Sequence, residues 1–97
     1  MRKQKRSTQI IGSLYEFDGH DKFFRKIIEE ANEFAAEVSH FMDDKSAATD
    51  LACEHADVLL QLLKLNYYMD NIYNFKDYEE MVNTQLAIKL GGLRDFI

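Results

Sequence analysis

At 97 residues and a net charge of -5, the chain is sized for a single domain and ill suited to coating nucleic acid, so no stable nucleic-acid partner is expected. Its single cysteine, Cys53, excludes an intramolecular disulfide and suits a reducing cytoplasm. No apolar run reaches the length of a membrane span, and residues 1–20 lack the apolar centre of a signal peptide. Hydrophobic residues make up 46%, proline is absent and there are four glycines, which favours long helices joined by few turns. A protomer this small buries limited surface alone, so self-association is expected.

The chain opens on a basic run, Arg2, Lys3, Lys5 and Arg6, read as a flexible, solvated tail over residues 1–6. Ser7 or Thr8 then caps a short helix through about Glu16, with Ile10, Ile11, Leu14, Tyr15 and Phe17 as its apolar side. Asp18-Gly19-His20-Asp21 reads as a turn. A long helix extends from about Asp21 to Met42. Its apolar residues, among them Phe23, Phe24, Ile27, Ala31, Phe34, Val38 and Phe41, recur at three- and four-residue steps. Glu30 and Glu37 stand at the margin of that face, Glu33 a little further round and Glu29 further still.

Asp43-Asp44-Lys45-Ser46 breaks the pattern. A third helix is expected from Ala47 or Thr49 to Met69. Leucines and small residues surround most of it, which is the pattern of a central helix packed on several sides. The polar strip left over contains Asp50, Glu54, Asp57, Gln61 and Lys64, and such a strip faces an enclosed site. Cys53 reads as core packing on the same helix. Asn71 to Asn74 forms a turn. Phe75 staples the start of a fourth helix, which runs from about Asp77 to Leu90 and is ended by Gly91-Gly92. Leu93, Phe96 and Ile97 make an apolar tail that docks on a partner subunit.

Two acidic motifs carry the chemistry: Glu29-Glu30-x-x-Glu33 and Glu54-x-x-Asp57. A three-residue step advances a helix by roughly 300°, so Glu30 and Glu33 project to one side, as do Glu54 and Asp57. If the two helices pack antiparallel, four carboxylates converge and repel one another unless cations lie between them. Oxygen-only ligation favours Mg²⁺ or Mn²⁺. An ion-pair network drawing on Lys26, Lys64 and Lys89 accounts for the same acids equally well on physical grounds. Glu29 and Glu79-Glu80 also read as plain solvated surface. Glu37-x-x-His40 is half of a di-iron signature with no second half, His55 reads as a packed or interface histidine, and His20 as a helix cap or the border of a pocket. There is no glycine-rich phosphate loop.

Glu29-Glu30-x-x-Glu33, then Glu54-x-x-Asp57, then a leucine-rich stretch, resembles the MazG-like all-α nucleoside triphosphate pyrophosphohydrolases over roughly residues 20–92. The resemblance implies an all-α, four-helix bundle completed by dimerisation, as a homodimer or a dimer of dimers. It implies Mg²⁺-dependent cleavage of a (d)NTP to the (d)NMP and pyrophosphate, in nucleotide-pool housekeeping. Glu30, Glu33, Glu54 and Asp57 look like its metal ligands. Glu29 looks like its leading glutamate, assisting a second metal or the attacking water. Family members often grip phosphate with a Lys/Asn/Arg cluster on the last helix, and here Asn83, Lys89 and Arg94 are the candidates. Phosphoribosyl-ATP hydrolysis is a neighbouring reading, and a non-catalytic helical dimerisation module is the rival from another class.

Overall fold

The computed structural model describes the backbone of residues 2–94 and the side chains of residues 6–94. Within that range the protein is all-helical: four helices, α1 (Arg2–Asp18), α2 (His20–Met42), α3 (Ala48–Asn71) and α4 (Tyr78–Arg94), and no strand. No helix among the described residues is long and apolar enough to cross a membrane. The chain divides into two compact units, one running through Tyr67 and the other starting at Tyr68.

In the first unit, α1 begins at Arg2, well before the cap expected at Ser7 or Thr8. Nothing between Arg2 and Asp18 breaks a helix, so the basic run forms the first turns of α1 and Ser7 and Thr8 lie in its interior. The expected four-residue turn contracts to Gly19 alone. Its φ of 82° is a conformation that glycine adopts without a Cβ clash, and α2 starts at the next residue. Lys22 and Asp18 bridge this corner at 3.5 Å. Aromatic side chains pack its inside, with the Tyr15 and Phe23 ring centroids 4.9 Å apart edge to face. Phe23 is wholly buried there.

Where α2 faces α3, Phe34 lies against His55 at 5.8 Å between ring centroids, and Phe23 lies under the Lys64 ammonium at 4.7 Å. Low numbers on one helix meet high numbers on the other, so the two run antiparallel. The α2–α3 connection turns through Asp44, at φ 58°, close to where the sequence pattern breaks.

The burial pattern of α3 inverts the expectation of a central helix. Leu59, Leu60, Leu62 and Leu63 are 46–53% exposed, while its buried residues are Gln61 and Lys64 from the polar strip. Cys53 is exposed, not packed in a core. The polar strip is therefore the face that α3 turns to its neighbours, and the leucines are left to water within the unit.

In the second unit, Lys76 pins the turn after α3. Its ammonium donates to the Asp70 carbonyl at 2.8 Å and stands 3.8 Å from the Asp70 carboxylate. Asn74 takes a left-handed φ of 67°, which asparagine tolerates better than most residues. Phe75 meets the Tyr78 ring edge to face at 6.3 Å at the start of α4. The helix does not stop at Gly91-Gly92 but continues to Arg94. Each glycine costs a helix about 1 kcal/mol relative to alanine, which is not enough to end one whose hydrogen bonds continue on both sides. Leu93 is 60% exposed on α4, and Phe96 and Ile97 lie outside the described residues.

Candidate metal centre

Three acids come together on the α2–α3 face. One carboxylate oxygen each from Glu30, Glu33 and Glu54 lies within 4.8 Å of the other two. The three-residue step on α2 supplies the first two, and the antiparallel neighbour supplies the third. Glu30 is buried at 7% relative exposure, Glu54 is half-buried and Glu33 reaches solvent. Asp57 is half-buried one turn beyond Glu54 and stands outside the group of three, though its charge is felt at Glu54.

The electrostatics are those of like charges held together. The charge of Glu30, then burial, holds the Glu33 carboxyl above its usual range. Burial first, then the charges of Asp57, Glu30 and Glu37, raises Glu54 in the same way. One cation answers part of this: the Lys26 ammonium lies 3.0 Å from Glu30 Oε1 and 4.0 Å from Glu29, and these partners hold Lys26 protonated above its ordinary value. That ion pair leaves the other oxygens unserved. Glu30 Oε2 and Glu54 Oε2 are buried with no hydrogen-bond partner, and so is Glu37 Oε1 one turn further along α2. A buried carboxylate oxygen facing no donor is costly, and the neighbouring oxygens compound the cost.

Glu37 belongs to neither sequence motif, although it stands four residues after Glu33 and seven after Glu30 on the same stripe, a spacing that marks it as a neighbour of the site. Glu29 is exposed and turned toward Lys26. Glu29 and Lys26 both line the rim of a cleft of about 730 Å³, with Asp18, Lys22, Arg25 and, on α3, Gln61 and Lys64. His20, the first residue of α2, meets the Tyr15 hydroxyl through Nδ1 at 3.2 Å and is not among the residues lining this cleft. Asn83, Lys89 and Arg94 are exposed on α4, in the second unit.

No protein-family model, no curated protein and no solved structure matches the chain. The functional reading therefore rests on the residues and their geometry.

The donor set fits a hard divalent cation. It is all oxygen, it is anionic, two of its carboxylates carry a buried oxygen with no hydrogen-bond partner, and it is compact enough for one ion to reach all three carboxylates. Asp57 stands close enough to Glu54 to act on it and lies outside the group that one ion reaches directly.

Proposed function

We propose that this protein is a Mg²⁺- or Mn²⁺-dependent nucleoside triphosphate pyrophosphohydrolase of the MazG-like kind, converting a (d)NTP to the (d)NMP and pyrophosphate. The observation that carries the reading is the pair of buried, donorless oxygens on Glu30 and Glu54 inside a cluster of three carboxylates. A cation satisfies both at once. Lys26 satisfies only Oε1 of Glu30.

In this reading Glu30, Glu33 and Glu54 hold the ion, and Asp57 supports Glu54 from one turn away. The ion supplies Lewis acidity toward phosphate oxygens and toward water. Glu29 keeps its carboxylate in solvent beside the site and accepts the proton of the attacking water. Lys26 stands between Glu29, at 4.0 Å, and Glu30, at 3.0 Å, and so links the proton acceptor to the ligands electrostatically. Attack at the α-phosphorus breaks the α–β anhydride bond and releases pyrophosphate.

The half-exposed leucines of α3 support assembly as a homodimer or a dimer of dimers, because a helix this apolar is otherwise left with Leu59, Leu60, Leu62 and Leu63 in water. The unpaired, exposed Cys53 suits a reducing, cytoplasmic setting. The Lys26–Glu30 ion pair favours a second reading, a non-catalytic helical interaction module whose acids are held by salt bridges. A nucleotide panel decides between them. The purified protein with Mg²⁺ is expected to release pyrophosphate, not single phosphate, from at least one NTP or dNTP, and Glu54→Gln is expected to abolish the release. A metal-loaded protein that leaves the whole panel intact defeats the enzyme reading.

A further inference from the structure

Lys64 is the unexplained charge of the first unit. Its relative exposure is 1%, yet it forms no ion pair among the described residues. Its ammonium donates to Gln61 Oε1 at 2.7 Å and lies 4.7 Å from the centre of the Phe23 ring. A neutral amide and an aromatic face soften the burial of an ammonium without neutralising it. Burial accordingly holds its pKa below the ordinary value for lysine, outweighing the nearby charge of Asp18, which raises it; Lys26 pushes down and Glu30 up to a smaller extent.

Lys64 lines the cleft of about 730 Å³. The cleft has the size of a small-ligand site. Of its other cations, Lys22 is taken up by Asp18 and Lys26 by Glu29 and Glu30, whereas Arg25 stands exposed with no ion pair among the described residues. The lining also carries the acids Asp18, Asp21 and Glu29, so its four cations exceed its acids by one, and the cations without an ion pair are Lys64, buried, and Arg25, exposed. Lys26 joins the cleft to the acid cluster, since the residue lines the cleft and its ammonium lies 3.0 Å from Glu30. A ligand that satisfies both neighbours must be anionic toward Lys64 and Arg25 and must also carry groups that share a cation with carboxylates. A chain of phosphates has both properties. A lone carboxylate has one negative charge to divide between two cations.

We propose that this cleft is a polyphosphate-binding subsite, in which the buried Lys64 and the exposed Arg25 receive phosphate oxygens. The identification of the ligand as a nucleotide rests on the function proposed above; the anion site itself stands on the buried lysine and the cleft. The phosphate grip thus includes residues of α2 and α3, where the family resemblance points to α4.

The test uses the full chain and inorganic tripolyphosphate, with calorimetric titration and thermal melting, first without metal and then with Mg²⁺. Tripolyphosphate is expected to bind the wild type and raise its melting midpoint. Lys64→Met is expected to lose at least about tenfold in affinity, the effect of one charged hydrogen bond. It is also expected to melt higher than the wild type in the absence of ligand, because the buried charge is gone; a purely structural lysine would give a lower midpoint. Arg25→Gln, on the surface and unable to upset the core, is expected to weaken binding several-fold, and Lys45→Gln, which removes the same charge beyond the other end of α2, to leave it unchanged. Wild-type protein that ignores tripolyphosphate overturns the proposal. So does wild-type affinity in Lys64→Met, or in Arg25→Gln should Lys64→Met not fold. Hydrolysis separates this proposal from the enzyme reading. Lys64-dependent binding without turnover of any nucleotide keeps the subsite and removes the enzyme, whereas turnover with an unchanged KM in Lys64→Met keeps the enzyme and removes the subsite.

Discussion

Melting the protein with and without Mg²⁺ or Mn²⁺, in the wild type and in Glu54→Gln, puts the acid cluster to its most direct trial. The oxygens of Glu30, Glu33 and Glu54 lie within 4.8 Å of one another. Around Mg²⁺, with ligands at about 2.1 Å, opposite oxygens stand about 4.2 Å apart and adjacent ones about 3.0 Å. No pair therefore has to draw in by more than about 1.8 Å, a movement that glutamate side-chain torsions supply without moving either helix. At a metal concentration 100 times Kd, binding adds about 2.7 kcal/mol to the folded state. For a domain of this size that raises the midpoint by roughly 10–20 °C. Glu54→Gln removes a carboxylate that burial and three neighbouring acids hold toward its neutral form. Metal-free, the variant is expected to melt higher than the wild type; metal-loaded, it is expected to melt lower, so the two curves cross. An ion-pair network makes the opposite forecast, since removing a paired charge destabilises at every metal concentration. The reasoning is refuted if MgCl₂ moves the wild-type midpoint no further than NaCl of equal ionic strength, or if Glu54→Gln is the less stable protein without metal.

Because Glu33 and Glu54 titrate above their ordinary value of 4.5 when folded, the native state binds more protons than the unfolded chain just above that pH. Their contribution to stability is therefore greatest in acid and is lost as pH rises through the window above 4.5; a Glu33→Gln/Glu54→Gln double variant should show a flatter midpoint between pH 5 and 7 than the metal-free wild type, and equal slopes would contradict the shifts. Saturating Mg²⁺ should reverse the wild-type slope, because ligation requires the ionised acids. Sedimentation velocity should find the wild type as a dimer or larger, and Leu59→Glu/Leu63→Glu, one helical turn apart on the exposed face of α3, as a monomer; a monomeric wild type at tens of micromolar ends the assembly reading. Gly12→Ala places a Cβ 2.7 Å from the Tyr67 hydroxyl and 3.2 Å from its ring, so overpacking of about 1–3 kcal/mol should outweigh the roughly 1 kcal/mol gained in helix propensity, and an unchanged or raised midpoint would show that Tyr67 yields freely.

Much of the helical frame is legible in the sequence because proline is absent and the apolar spacing of α2 is regular. Its end at Met42 and the break at Asp43-Asp44 lie where the pattern stops. The convergence of Glu30, Glu33 and Glu54 is legible because one three-residue step and one antiparallel packing bring it about. Other features depend on competition between terms that a pattern does not weigh. The start of α1 and the passage of α4 through Gly91-Gly92 are set by cooperative hydrogen bonding, which overrides a weak cap and a glycine penalty. Burial on α3 departs from the pattern in an instructive direction. Leucine content marks the helix as central, but the acids and lysines of α2 and the polar strip of α3 select each other, and Gln61, Lys64 and Glu54 turn inward while Cys53 and the leucines turn out.

That inversion bears on how the protein is held together. Among the described residues the buried hydrophobic side chains are Ile11 and Phe23, whereas Glu30, Gln61 and Lys64 are buried too. A lone domain stabilises itself by the reverse ratio, with charges outside and apolar groups within. Here the buried acid oxygens and the buried ammonium both oppose folding until something neutralises them, and the α3 leucines contribute little until something covers them. Metal on the acids, phosphate on Lys64 and a second copy on the leucines would each act on a different part of this deficit, and each would add its binding energy to folding. The three should therefore be thermodynamically linked. Ligands that favour the folded protomer raise the concentration of chains competent to associate, and association in turn tightens apparent ligand binding by the same factor. With this distribution of charge and leucine, filling the site and covering the leucines would each add to the stability of the folded chain.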